Sequence, residues 1–183
     1  MARLDPQALV EHLDRLYRAA WALCGSREEA EDLVQETAAR VLARPRRLHG
    51  TDELAYLMRA LRNTFLLSRR TASRRPQVRA TLDQVDAVEP RPDGRPEAAL
   101  ATRELFAAIA ALPEDFRLAL VAVDVVGLSY REAATTLDTQ EATIASRLYR
   151  ARERVARALA ADDGACVAPA LREGIDAKRS LRS

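Results

Sequence analysis

Apolar residues recur every three to four positions along most of the chain, the spacing that places them on one face of a helix. Leu9, Leu13, Leu16, Tyr17, Ala20 and Cys24 mark a first helix. Asp5 as N-cap with Pro6 in the first turn opens it, and Gly25 closes it. Ser26 followed three residues on by Glu29 has the form of a capping box. It opens a second helix with Ala30, Leu33, Val34, Thr37, Val41 and Leu42 on one stripe and Pro45 beyond its end. After a short basic loop over 46–50, Thr51 and Asp52 can cap a third helix. Its inward positions are Leu54, Leu57, Met58, Leu61 and Phe65, and it must stop before Pro76.

The period then fails. Pro76, Pro90, Pro92, Gly94 and Pro96 interrupt a polar, acidic stretch over 76–96, which reads as a linker between two domains. The period returns at Glu97, where Leu100, Leu105, Ile109 and Leu112 line a helix up to Pro113. The next helix starts at Pro113–Glu114, turns Phe116, Leu120, Val123 and Val126 inward, and stops at Gly127. Ser129 and Glu132 form another capping box, for a very short helix to about Leu137. Asp138–Thr139–Gln140 is a turn, and a last long helix runs from about Glu141 to Ala160. Periodicity is weak over 162–183, a tail. The expected fold is all-α, with two small helical domains at 1–75 and 97–161 joined by a flexible linker over 76–96.

Composition agrees with helices. The chain has 36 alanines, six glycines and 4% aromatics, which leaves little for a β-sandwich. Its 183 residues, 48% hydrophobic, can bury a core in one large domain or two small ones. No apolar run approaches the ~20 residues of a membrane span. Asp5, Glu11, His12 and Asp14 break the N-terminal stretch, so it has no signal-peptide core and a cytoplasmic chain is expected. Cys24 and Cys166 cannot make a disulfide framework and fit no zinc spacing, and His12 and His49 are the only histidines. No catalytic centre, metal or cofactor is expected.

The net charge of +2 hides a sorting of charge. Residues 59–79 hold seven arginines and no acid, residues 28–36 five acids and no base, and residues 141–157 five arginines against Glu141 and Glu153. Blocks of one sign suggest surfaces addressed to different partners. Basic blocks suit a polyanion such as nucleic acid, and the acidic block suits a basic protein surface.

A short helix, a tight turn and a longer Arg-rich helix make a helix-turn-helix, whose second helix lies in the major groove with its N-terminal residues at base edges. Those residues are Glu141, Ala142, Thr143, Ala145, Ser146 and Arg147. Arg150 and Arg154 lie one and two turns on, where phosphates would be, and Ile144 and Leu148 should pin the helix to the core.

Here a resemblance becomes specific. LPEDFRLALVAVDVVGLSYREAATTLDTQEATIASRLYRARERVARAL resembles region four of bacterial extracytoplasmic-function sigma factors. EEAEDLVQETAARVL is similar to their region-two helix that binds core RNA polymerase, and AYLMRALRNTFLLSRRTASRR to the promoter-melting helix that follows. The matches cover residues 5–160 in the family's order. The resemblance implies that Asp32, Leu33, Gln35 and Glu36 dock on the clamp helices of the polymerase largest subunit. It implies minus-ten DNA contacts, double- and single-stranded, from Arg46, Arg47, His49, Tyr56, Arg59, Arg62, Asn63, Arg69 and Arg70, with the 46–51 loop capturing a flipped base. It implies minus-thirty-five contacts from Arg131, Thr143, Ser146, Arg147, Arg150 and Arg154, and an anti-sigma factor as a further partner. Four residues depart from the family pattern. Tyr56 stands where tryptophan is usual, Leu67 where aspartate is frequent, Asp138 at the usual turn glycine, and Ala145 at a common lysine. Asp138 can still make the turn, because Asp tolerates left-handed backbone. The missing lysine removes one phosphate or base contact and should alter promoter preference.

Two other classes compete. A stand-alone helix-turn-helix regulator would carry a sensor or dimerisation domain where this chain carries its acidic and basic helices. A di-metal helical enzyme would want Glu-x-x-His pairs, which this chain lacks.

Overall fold

The computed structural model describes residues 2–3, 6–43, 47–48, 53–74 and 96–162. Helix α1 (Pro6–Cys24) is followed after two residues by α2 (Arg27–Ala43), and α3 (Glu53–Arg74) packs against both. Helix α4 (Pro96–Ala110) leads through Pro113 to α5 (Glu114–Leu120), a π-helical segment (Val121–Val125), α6 (Tyr130–Leu137) and α7 (Glu141–Asp162). Two two-residue strands, β1 (Ala2–Arg3) and β2 (Arg47–Leu48), pair antiparallel with Ala2 opposite Leu48. The 46–50 stretch read as a loop is therefore in part a paired strand. The proposed linker lies outside the described residues except for Pro96, which opens α4, and so does the tail beyond Asp162.

Helix ends follow local chemistry. Gly25 takes φ +84° after α1, a left-handed conformation open to glycine at no steric cost. Ser26 Oγ accepts from the Glu29 amide at 3.2 Å. At α6 the capping box is complete: the Glu132 amide donates to Ser129 Oγ, and the Ser129 amide donates to Glu132 Oε2 at 2.8 Å. Asp138 closes α6 at φ 55°, ψ 54°, the left-handed turn expected of it. The π-helical segment has no sequence signal. The Val126 amide bonds the Val121 carbonyl five residues back at 3.0 Å, so one helix predicted from Glu114 to Gly127 is an α-turn run into a π-turn.

One continuous set of buried side chains runs from Leu9 to Val155. Leu16, Leu23, Leu57, Leu61, Ile144 and Leu148 are fully buried, each stabilising the fold by ~1.5–3 kcal/mol. Thr37 and Thr64 are buried with them, and each hydroxyl bonds the carbonyl four residues back. Three residues predicted inward are exposed. Leu13 stands on a flank of α1 shared with Val10, Leu42 is in the last turn of α2, and Leu100 is out of phase on α4. The phase of α4 is set by Phe106, whose ring meets Trp21 of α1 at 4.5 Å between centroids. Leu100, six residues earlier, is turned about 240° from it.

The two halves of the chain share this core. Helix α1 packs against α4, α5 and the π-helical segment, and α3 packs against α6. Gly25 lies so close to α4 that a Cβ on it would stand 2.8 Å from Ala110 Cβ. Cys24 is half-buried beside this contact, and burial, then Glu29, pushes its thiol up to about 12. It is a packing group at neutral pH.

The α6 cap sets two expectations. Ser129→Ala should destabilise the protein by about 1 kcal/mol in urea unfolding at neutral pH. The Ser129 hydroxyl and amide hold the Glu132 carboxyl below the usual carboxylate value. A carboxylate depressed on folding contributes stability above its unfolded-state pKa of ~4.3, lost as pH falls through the lower folded-state value. The stability gap between wild type and Glu132→Gln should thus be full at neutral pH and close in acid. A gap that widens on acidification would show that the cap does not hold the ionised form.

Candidate nucleic-acid interface

Helix α2 buries Ala30, Leu33, Val34, Thr37 and Val41, which turns Asp32, Gln35 and Glu36 to solvent. Leu33, read as a polymerase contact, is buried in the core beside them. Glu36 is paired with Arg40 at 2.6 Å on the exposed face. Such a pair is worth ~0.3–0.5 kcal/mol, too little to hold Glu36 against a better cationic partner.

Helix α3 buries Leu57, Met58, Leu61, Thr64 and Phe65, leaving Arg59, Asn63, Arg69 and Arg70 exposed. Tyr56 and Arg62 are half-buried; Tyr56 packs against the core, and the shielded Nε of Arg62 has no acceptor. Arg69 lies over the Phe65 ring at 5.7 Å. Arg59 Nη2 donates to the Thr135 carbonyl of α6. Arg46 and His49 lie outside the described residues, as does the side chain of Arg47.

Helices α6 and α7 enclose the turn at Asp138. Ile144, Leu148, Ala151 and Val155 bury one face of α7, as the four-residue spacing of Ile144 and Leu148 predicts. The flanks are tied down. Arg152 grips Asp124 through two hydrogen bonds of 2.9 and 2.6 Å, Arg147 pairs with Asp115 at 2.7 Å, and Arg154 stacks over Phe116 at 4.8 Å. Ala142, Ser146, Tyr149, Arg150 and Glu153 remain exposed on the outward face. Thr143 is half-buried and Arg131 is exposed on α6.

Family models agree with this layout. Residues 9–75 match sigma-70 region 2, and residues 102–155 match sigma-70 region 4. The ECF RNA polymerase sigma factor SigE of Mycolicibacterium smegmatis is 37% identical over 148 residues, 79% of this chain and 57% of that relative. The ECF RNA polymerase sigma factor EcfG of Rhodopseudomonas palustris is 36% identical over 145 residues, 78% of each. The chain belongs to the ECF RNA polymerase sigma-factor family. Among solved structures, this sigma factor is similar to RpoE of Bartonella quintana in complex with the anti-sigma factor NepR. The TM-score is 0.68 and the identity 28%, covering 85% of this chain and 96% of that one. The chain thus spans little more than half of the SigE relative.

Within the sigma factor, the expected site residues separate. Asp32, Gln35 and Glu36 share one exposed face of α2, and Arg59, Asn63, Arg69 and Arg70 share the exposed side of α3. Arg147 does not point straight out. It flanks the buried stripe, one residue before Leu148, and Asp115 holds it sideways. Tyr149, 69% exposed, was not among the expected contacts. It lies three and four residues after Ser146 and Ala145, on their face, and the phase of Ile144, Leu148, Ala151 and Val155 would have found it. No group able to hold a metal ion occurs among the described residues, and no helix there is long and apolar enough to cross a membrane.

The Arg147–Asp115 pair generates a test. Asp115 is largely exposed, so Asp115→Asn should free Arg147 with little effect on stability. Duplex DNA should then bind more tightly at low salt, with a log–log salt slope steeper by up to about one. An unchanged slope in anisotropy titrations would mean that Arg147 does not reach DNA.

Proposed function

We propose that this chain is the promoter-recognition subunit of a bacterial RNA polymerase. It would have no catalytic activity of its own, and would lend core polymerase the ability to find, melt and start at a promoter. The observation that carries the reading is the order of three exposed faces on one chain: acidic on α2, basic on α3, and on α7 the outward face of a helix-turn-helix with Ser146, Tyr149 and Arg150. Residues 1–75 serve as region two, 76–96 as linker, 97–161 as region four and 162–183 as a tail. It acts in the bacterial cytoplasm, at the nucleoid when in holoenzyme. Asp32, Gln35 and Glu36 suit the basic clamp helices of the largest subunit. The exposed residues of α3, with Tyr56, Arg62 and the 46–51 loop, suit the minus-ten element, whose unstacked bases are held by stacking and edge hydrogen bonds.

On α7, the minus-thirty-five reading shifts outward. Ser146, Tyr149 and Arg150 face the groove, while Thr143, Arg147 and Arg154, with Arg131 of α6, serve nearby phosphates. The complex of the Bartonella relative with NepR supports an anti-sigma factor as a partner of this chain too.

Co-purification with core polymerase followed by run-off transcription tests the whole reading. Transcription started only when the chain is present supports it; binding to duplex DNA without any run-off product would favour a stand-alone regulator. For the α2 face, Asp32→Arg with Glu36→Arg should weaken core binding by at least about tenfold while circular dichroism stays unchanged. Charge reversal at two interface positions sets like charges against the partner. For α3, Asn63→Ala should reduce permanganate reactivity of the bubble more than it reduces core binding.

A further inference from the structure

Helix α3 carries no acid beyond Glu53. Among its described side chains Leu67 is the one large apolar residue that stands exposed, at 45%. Its neighbour Leu66 packs against the core, whereas Leu67, about 100° further round the helix, turns outward. Asn63, Leu67 and Arg70 fall within about 60° of one another, with Asn63 about 6 Å before Leu67 along the axis and Arg70 about 4.5 Å after it. Asn63 and Arg70 are exposed as well. One row on this face thus presents an amide, an aliphatic group and a guanidinium. A single exposed leucine is ordinary on a protein surface; this one stands in the middle of a basic face, between a hydrogen-bonding group and a phosphate-binding one.

We propose that Leu67 is a thymine-selecting contact: it meets the C5 methyl group of one thymine in the single strand held along α3. This rests on the reading of α3 as the helix that holds single-stranded minus-ten DNA.

The division of labour follows from the three groups. A guanidinium takes a phosphate whatever the base attached to it, so Arg70 positions the strand without selecting it. The Asn63 amide can bond a base edge. A leucine side chain has no donor, no acceptor and no ring face, so it distinguishes bases by apolar contact alone. Thymine alone among the four DNA bases carries a methyl group on its edge. Setting that methyl against Leu67 takes apolar surface of both partners out of water. A cytosine or a deoxyuridine in the same place offers the leucine no methyl. Leu67 thereby adds a base preference to a face whose arginines are blind to sequence.

The test uses holoenzyme assembled from the full chain and core polymerase, with oligo(dT) and oligo(dU) of equal length as probes. The two differ only in the C5 methyl. Wild-type holoenzyme should prefer oligo(dT), beyond any preference of core polymerase alone. Leu67→Gln should cut that preference about three- to fourfold, the share of one methyl-sized group taken out of water, and should do so through weaker binding of oligo(dT). Leu67→Met, which keeps an apolar side chain of similar size, should retain it. Leu67→Ala is the second truncation should Leu67→Gln not assemble with native helicity. The same ratio of oligo(dT) to oligo(dU) affinity in wild type and in the truncated variants would overturn the proposal. Asn63→Ala combined with Arg70→Ala separates the proposal from the reading beneath it. If that pair weakens binding of both oligonucleotides while the ratio is indifferent to Leu67, only the thymine contact fails. If the pair leaves both affinities unchanged, α3 does not hold the strand, and the proposal falls with that reading.

Discussion

Arg117 of α5 is buried against the Leu23 and Leu112 carbonyls, with no carboxylate bonded to it among the described residues, and it ties the two halves of this molecule together. Arg117 can be charged inside the protein only where carbonyls converge on it, and the open end of α1 supplies one. That requirement fixes α5 against α1. The short connections from α5 onward then carry α6 onto α3 and fix where α7 lies. Gly25 serves the same corner twice, by closing α1 in a left-handed turn and by leaving room for α4.

The candidate surfaces are what this packing leaves over. Helix α2 spends its apolar stripe on α1 and α3, and its acids remain outside. Helix α7 spends Ile144, Leu148, Ala151 and Val155 on the core. Three of its arginines are anchored to α5 or the π-helical segment, which orients the helix as well as storing charge. Arg152 is bound tightly and serves the fold, whereas Arg147 is held by a single, largely exposed carboxylate. Arginines on one helix thus differ in how freely they can be given to a phosphate.

Much of this was legible in the sequence, because it depends on neighbours in the chain. The helices, the Ser129–Glu132 cap, the stop at Gly25 and the left-handed Asp138 all follow from residues within four positions. The charge blocks likewise lie on helices whose buried stripes the 3.6-residue period reveals. What stayed hidden depends on partners far along the chain. Nothing near Arg117 shows that a carbonyl 94 residues away will bury it. Nothing near Leu100 shows that Trp21 will choose Phe106 and rotate α4. The pairing of Ala2–Arg3 with Arg47–Leu48 is non-local in the same way. The burial of Leu33 was hidden too, because a family motif names a stretch of helix and only packing tells which of its sides is outward.

The π-helical segment bears on how region four tolerates changes in length. The extra residue it accommodates brings Asp124 beneath Arg152 while Val121, Ala122 and Val126 stay in the core. A one-residue deletion between Leu120 and Gly127 would leave a regular helix with its flanking residues in their present phase, because the wide turn has already absorbed the extra one. What would change is the turn itself, and with it the place of Asp124 beneath Arg152. Insertions and deletions are commonly absorbed by loops, but region four holds one inside a buried helix.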